Sequence, residues 1–186
     1  LERNPHWSKD TDDVRLALPD AVVFSLGQDE STSAQRRIAD AGADRNSFGA
    51  DRVSAAQLAQ VTANADAGQR LATTPEGGPL VFLAINTERV SDPDVRRAIA
   101  RAVDKDAVVA ALGGELGAQA ATTYITPGVP GRQEYDLYPR DIAGAEALLA
   151  GKSVPGLVLL TDNGAAHRAV AEAVGQSLKE AGLQIT

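Results

Sequence analysis

The chain has 186 residues, a net charge of -7, 44% hydrophobic residues, and neither cysteine nor methionine. This length fits one large domain or two small ones. The pI near 4.8 argues against a nucleic-acid-binding protein, and the absence of cysteine excludes a disulfide scaffold, a cysteine nucleophile and a thiolate zinc site. No apolar run approaches the roughly 20 residues that span a bilayer. Because translation starts at methionine, we expect Leu1 to be a cut end from which any export signal has been removed.

The first predicted elements are a short strand and a helix. Residues 21–26 form a β-branched, apolar run that is typical of a strand. Ser31 or Ser33 can cap a helix that continues to about Ala41, and Gly42 then ends it.

A second helix and a break in the chain follow. Asp51 or Ser54 can open this helix, and Gly68 is expected just after its end. Residues 69–74 could form a brief strand. Residues 75–79, with the sequence PEGGP, are the strongest structure-breaking cluster of the chain and indicate a boundary.

The break is followed by the clearest strand and helix signals. Residues 80–86 are nearly all apolar, which predicts a strand that is buried on both faces. Asp92 is a predicted N-cap, and Pro93 suits the first helical position. The apolar stripe of this helix consists of Val95, Ala98, Ile99, Ala102 and Val103.

Two more capped helices are expected after it. Asp104 is the predicted cap of a helix over 105–112 that ends at the glycine pair 113–114. Asp141 is the predicted cap of a helix that ends near Ala150.

The last predicted elements are a strand over 157–160, a long helix over 165–181 and the start of a strand over 183–186. The alternation of strands and helices from residue 79 onward predicts an α/β domain. Because the last strand stops after four residues, we expect the C-terminal end to be cut as well.

The chemistry-bearing residues form no recognisable catalytic or metal-binding motif. His6 and His167, the only histidines, lie in different segments, and surface positions are expected for both. No phosphate-binding glycine loop, nucleophile elbow or zinc-binding helix motif occurs. We therefore expect no catalytic residues, no metal site and no cofactor.

Other polar and aromatic residues admit a structural and a functional interpretation. Asp10, Asp12 and Asp13 lack the spacing of a calcium loop and indicate a solvated acidic turn. Trp7 and Phe82 could each stack on a ligand, although packing is the commoner role of an aromatic side chain. The arginines at 96, 97 and 101 are typical of a solvated helix face, with Asp94 and Asp104 as partners and anion binding as the minority alternative.

Several segments, taken in order, resemble the family 5 extracellular solute-binding proteins, the dipeptide and oligopeptide receptors of ABC importers. The most specific part spans residues 86–109, where Asn86 ends a strand, Asp92 caps a helix and a VRRAI segment leads to the junction AVDK. Further matching segments are LERNPHW at 1–7, ITPGVPG at 125–131, YDLYPRDIAGAEALLA at 135–150 and AVAEAVGQSLKEAGLQIT at 169–186.

The resemblance implies part of a two-lobed α/β fold of the periplasmic-binding-protein type, in the oligopeptide-binding class. Residues 1–78 resemble the end of the first lobe's sequence, and residues 79–186 resemble the first half of the second lobe, so that both are incomplete. The breaker cluster 75–79 would lie near the crossover between them. An intact member would close its two lobes around a ligand.

The resemblance also implies candidate ligand-binding residues. The segment that matches residues 80–86 passes the cleft in the family, and its alternate side chains face the ligand. The candidates are therefore Phe82, Ala84 and Asn86. Peptide-binding members often carry a larger aromatic or acidic residue in this strand, so Ala84 departs from their pattern.

The implied function is the non-catalytic capture of a peptide or another small polar solute for an ABC permease. The implied location is outside the cytoplasm, with a lipid anchor outside this segment. One alternative is a non-transporting protein of the same fold that acts in actinobacterial glycolipid or lipoglycan assembly, which the excess of arginine over lysine, typical of a GC-rich genome, keeps open. An enzyme is a third alternative, which the lack of a catalytic motif disfavours.

Overall fold

The computed structural model describes residues 1–49, 53–73 and 78–186. Its regular structure in these ranges consists of helices, with short 3-10 turns at Lys9–Thr11, Gly42–Asn46 and Gly114–Leu116. The α-helices are α1 (Glu30–Ala39), α2 (Ala55–Ala63), α3 (Ala65–Gln69), α4 (Pro93–Ala102), α5 (Lys105–Ala111), α6 (Ile142–Leu149) and α7 (Ala165–Glu180).

The helices α4 to α7, which follow residue 79, begin where the sequence predicts them. The Asp92 carboxylate accepts a hydrogen bond from the Asp94 amide at 2.8 Å, and Pro93 occupies the first helical position of α4. Asp104 and Asp141 cap α5 and α6 in the same manner. Each of these aspartates satisfies an amide that has no partner within its helix, which fixes the first turn.

The main hydrophobic core lies among α4, α6 and α7. Four residues of the predicted stripe are buried here, namely Val95, Ala98, Ile99 and Ala102, of which the two alanines are fully inaccessible, while Val103 follows α4 and is half-buried. Ala145 of α6 is also fully inaccessible, and small side chains at these positions allow the two helices to approach closely. Val174 and Leu178 of α7 complete the core, as the helical spacing predicts.

Polar contacts fix the two ends of the α4 and α6 pair. At one end the Asp141 amide donates to the Arg101 carbonyl at 2.9 Å. At the other end Lys152 Nζ lies 2.7 Å from Asp92 and 2.9 Å from Asp94. Hydrogen bonding to Lys152 lowers the pKa of both carboxyls, and these carboxylates raise the pKa of the ammonium group.

The arginines of α4 have the structural role that the sequence favours, with one change of partner. Arg97 pairs with Asp94 at 2.9 Å, as expected. Arg101 pairs with Asp141 at 3.2 Å, whereas the expected partner Asp104 pairs with Arg140.

The helices α1, α2 and α3, which precede residue 79, differ in detail from the prediction. Asp29, instead of Ser31 or Ser33, caps α1 by accepting from the Thr32 amide at 2.9 Å. Ser54 precedes α2, as predicted, and Gly68 lies inside α3 rather than after a helix end. The alternative cap at residue 51 and most of the breaker cluster lie outside the described residues.

The acidic segment near the N-terminus forms a local turn. The Asp12 carboxylate accepts hydrogen bonds from the Trp7 ring at 3.0 Å and from the Arg15 side chain at 2.7 Å. The Arg15 hydrogen bonds hold the pKa of this carboxyl far below its usual range, with help from Trp7. The interpretation as a turn instead of a calcium loop agrees with this geometry.

The predicted strands are wrong as regular elements within the described residues. They are replaced by extended chain and two isolated bridges, an antiparallel one between Glu2 and Ala21 and a parallel one between Leu157 and Ile185. Residues 81–84, expected to be buried on both faces, are exposed, because no neighbouring strand pairs with them in the described part of the chain. An apolar run is buried only when a second layer covers it.

Candidate functional site

An open groove of about 530 Å³ lies beside the exposed segment that follows the breaker cluster. We call it the Phe82 groove. Its walls come from five parts of the chain, namely residues 78–83, helix α5 with its flanks, residues 118–127, residues 159–161 and the first half of α7, together with Arg132.

Two helix faces form the floor of the Phe82 groove. Helix α5 and the residue after it contribute Lys105, Val108, Val109 and Leu112. Helix α7 contributes His167, Val170, Ala171 and Val174. Both sets follow the i, i+3, i+4, i+7 spacing of a single helical face, so each helix presents one continuous surface to the groove.

A buried serine holds the two floor helices together. Ser177 Oγ of α7 accepts a hydrogen bond from the Asp104 amide at 3.2 Å and donates to the Ala173 carbonyl at 2.7 Å. Asp104 also caps α5. The start of α5 is therefore fixed against α7 on the side away from solvent.

The edge of the groove at 159–161 is fixed by the parallel bridge. The Leu159 amide donates to the Thr186 carbonyl at 3.0 Å, and the Thr186 amide donates to the Leu157 carbonyl at 3.0 Å. Leu160 lines the groove, while Val158 does not, and both are exposed.

Two aromatic rings meet across the mouth of the groove. The ring centroids of Phe82 and Tyr124 lie 5.8 Å apart with planes inclined by 48°, within the range for favourable aromatic pairs. Phe82 is 60% exposed and Tyr124 is 76% exposed. Their contact leaves much apolar surface available to a further group.

The cationic groups of the lining face carboxylates. Lys105 Nζ lies 3.2 Å from both carboxylate oxygens of Asp136. Arg132 donates from Nη2 to Glu134 at 3.1 Å, while its Nε is buried without a hydrogen-bond acceptor among the described residues. Both positive charges are thereby balanced at the groove wall.

His167, the first of the floor residues of α7, lies in the first turn of that helix. Its Nδ1 lies 2.7 Å from Asp162 Oδ2, and the other oxygen of Asp162 accepts from the Gly164 amide at 2.8 Å. The Gly164 amide, followed by His167, lowers the pKa of Asp162. His167 is exposed as predicted, but the sequence reasoning missed its place in the lining, although its helical phase with Val170 and Val174 indicates that place.

One of the three predicted ligand-binding residues lines the groove, and the other two do not. Phe82 lines it, whereas Ala84 and Asn86 lie outside it, further along the same exposed segment. Asn86 Oδ1 accepts hydrogen bonds from the amides of Glu88 and Arg89 at 3.0 and 3.2 Å, which shapes the turn before α4.

The described residues bring no three metal-ligating side chains into an arrangement that could hold an ion. In the same part of the chain, no helix combines the length and the apolar character needed to span a membrane.

Comparisons with known proteins match this chain over its whole length. The family model "Bacterial extracellular solute-binding proteins, family 5 Middle" matches residues 1–186. A solved structure, that of "Clavulanic acid biosynthesis oligopeptide binding protein 2", is similar with a TM-score of 0.72 and 31% sequence identity. The match covers 100% of this chain and 35% of that chain, so the present chain spans about a third of its length. No curated protein matches.

Proposed function

This chain belongs to the family 5 bacterial extracellular solute-binding proteins, and we propose that it forms one wall of a cleft that captures a small solute, in the first place a short peptide. The Phe82 groove is the observation that carries the proposal. Its volume of about 530 Å³ falls within the roughly 300–1,000 Å³ of typical small-molecule sites. Its lining is mostly apolar, which is also typical of such sites.

Peptide is the leading solute class for two reasons. The similar solved structure is named as an oligopeptide binding protein. The groove is also lined by residues 78–83, whose backbone makes no hydrogen bond to other described residues and is therefore available for main-chain hydrogen bonds to a peptide.

The proposed division of the chain places residues 1–78 in a first lobe and residues 79–186 in a second. The distribution of buried side chains supports it, because the main core cluster lies wholly between Val90 and Leu183. Buried residues of the first part, such as Leu58 and Val61, belong to α2. Phe82 would then follow the crossover directly and face the cleft, with Ala84 and Asn86 as candidates further along.

We propose the wider role of the protein from its family. The protein binds its solute without catalysing a reaction and, outside the cytoplasm, passes it to an ABC permease. A lipid anchor outside this segment would keep it at the membrane. No observation on the described residues favours the envelope-assembly alternative.

Substitution of Phe82 tests the binding site. In the full-length protein that carries this segment, we expect short peptides to bind in titration calorimetry and Phe82→Ala to weaken binding about tenfold, because a buried aromatic contact is lost. Phe24→Ala is the matched control, since Phe24 is 63% exposed, similar to Phe82 at 60%, and lies outside the groove. Equal effects of the two substitutions, or no binding of any peptide, would contradict the proposal.

A further inference from the structure

The charge of the Phe82 groove is balanced within the protein. Among the described residues, its lining contains three side chains that can carry a positive charge and no carboxylate. Each of the three faces a carboxylate outside the lining, Asp136 for Lys105, Glu134 for Arg132 and Asp162 for His167. A charged group of a ligand would therefore find no unpaired counter-charge among the described residues of this wall.

This balance determines which ligand group the wall favours. A charged group that enters the groove loses hydration without gaining a free opposite charge among the described residues, which is unfavourable. An apolar group gains free energy because it removes its own surface and that of the lining from water. The exposed faces of Phe82, Tyr124 and Leu160 are available for this contact.

From these observations we infer that the Phe82 groove is a specificity pocket for an uncharged, apolar side chain of a short peptide, aromatic or branched aliphatic. This inference rests on the proposed function and adds the side-chain class that the pocket selects.

A peptide panel measures this selectivity in the full-length protein. Phenylalanine, lysine or glutamate is placed at each of the three positions of trialanine, and dissociation constants are measured by calorimetry. At one position at least, we expect the phenylalanine peptide to bind about tenfold more tightly than both charged peptides, as burial of an aromatic side chain predicts. Binding without a preference for phenylalanine at any position overturns the inference and leaves the proposed function intact. No binding of any peptide overturns both.

Two variants test whether the Phe82 groove is the source of the preference for phenylalanine. Leu160→Asp adds a negative charge to the groove at a side chain that is 87% exposed, whereas Val158→Asp adds the same charge two residues away, at a side chain that is 68% exposed and outside the lining. We expect Leu160→Asp to abolish the preference for phenylalanine over lysine and Val158→Asp to preserve it. Equal selectivity in the two variants overturns the assignment.

Discussion

Gly113 brings the end of α5 into close contact with helix α2. Gly113 follows α5 with a φ of +102°, and an added Cβ would lie 2.7 Å from Leu58 Cδ1 and 3.2 Å from the Ala55 backbone. Both contacts belong to α2. The neighbouring Gly114 also has a positive φ, +71°, but its Cβ position is open. Substitutions at the two glycines therefore distinguish the cost of a left-handed backbone from the cost of a steric clash with α2.

Alanine substitutions at this pair should differ in their effect on stability. Gly114→Ala is expected to cost about 1–2 kcal/mol from its left-handed backbone, whereas Gly113→Ala adds a displacement of α2 that costs about 1–3 kcal/mol more. Urea unfolding of the two variants measures the difference in free energy. Equal losses would show that α2 does not pack against the end of α5 in solution.

At the scale of elements, the sequence predicts the helices well and the strands poorly. The helices α4, α5 and α6 begin at Asp92, Asp104 and Asp141 because a cap acts on amides only two or three residues away. A strand depends on partners that are distant in sequence. For residues 80–86 no described segment supplies one, and the predicted burial is wrong.

The candidate site was predictable to a similar extent. Phe82 is found in the groove, but the opposing Tyr124 and the lining residue Arg132 were not anticipated. Both belong to loop segments that only tertiary packing brings to the groove. The family resemblance indicated that residues 80–86 lie at the binding site. It could not indicate which residues of other segments lie opposite them.

Lys152 connects the start of α4 to the segment after α6, and its contribution should depend on pH. Both aspartates have a pKa below the usual 3.8 in the folded state, so their stabilisation is complete above that value and is lost as pH falls through the folded pKa values. Lys152→Gln should therefore lower the urea midpoint at pH 7 and have a smaller effect at pH 2. Lys179→Gln, at an exposed lysine of α7, is the control. An equal effect of Lys152→Gln at both pH values would contradict the role of the carboxylates.

At the scale of the whole molecule, part of the exposed apolar surface lies at the mouth of the Phe82 groove. Phe82, Tyr124 and Leu160 are all more than half exposed at the mouth of the groove. The chain spans 35% of the similar solved structure. We interpret the exposed surface as one side of a site whose opposite side comes from another part of the receptor.

This interpretation predicts a large difference in affinity between the segment and the receptor. Typical sites bury roughly 70–90% of a ligand's surface, whereas an open groove leaves much of that surface in water. Residues 1–186 alone should therefore bind short peptides at least about 100-fold more weakly than the full-length protein. Calorimetry with the phenylalanine peptide measures both affinities, and far-UV circular dichroism of the isolated segment establishes that its helices are formed. Micromolar binding by residues 1–186 alone would show that this wall is sufficient, and that lobe closure contributes little to capture.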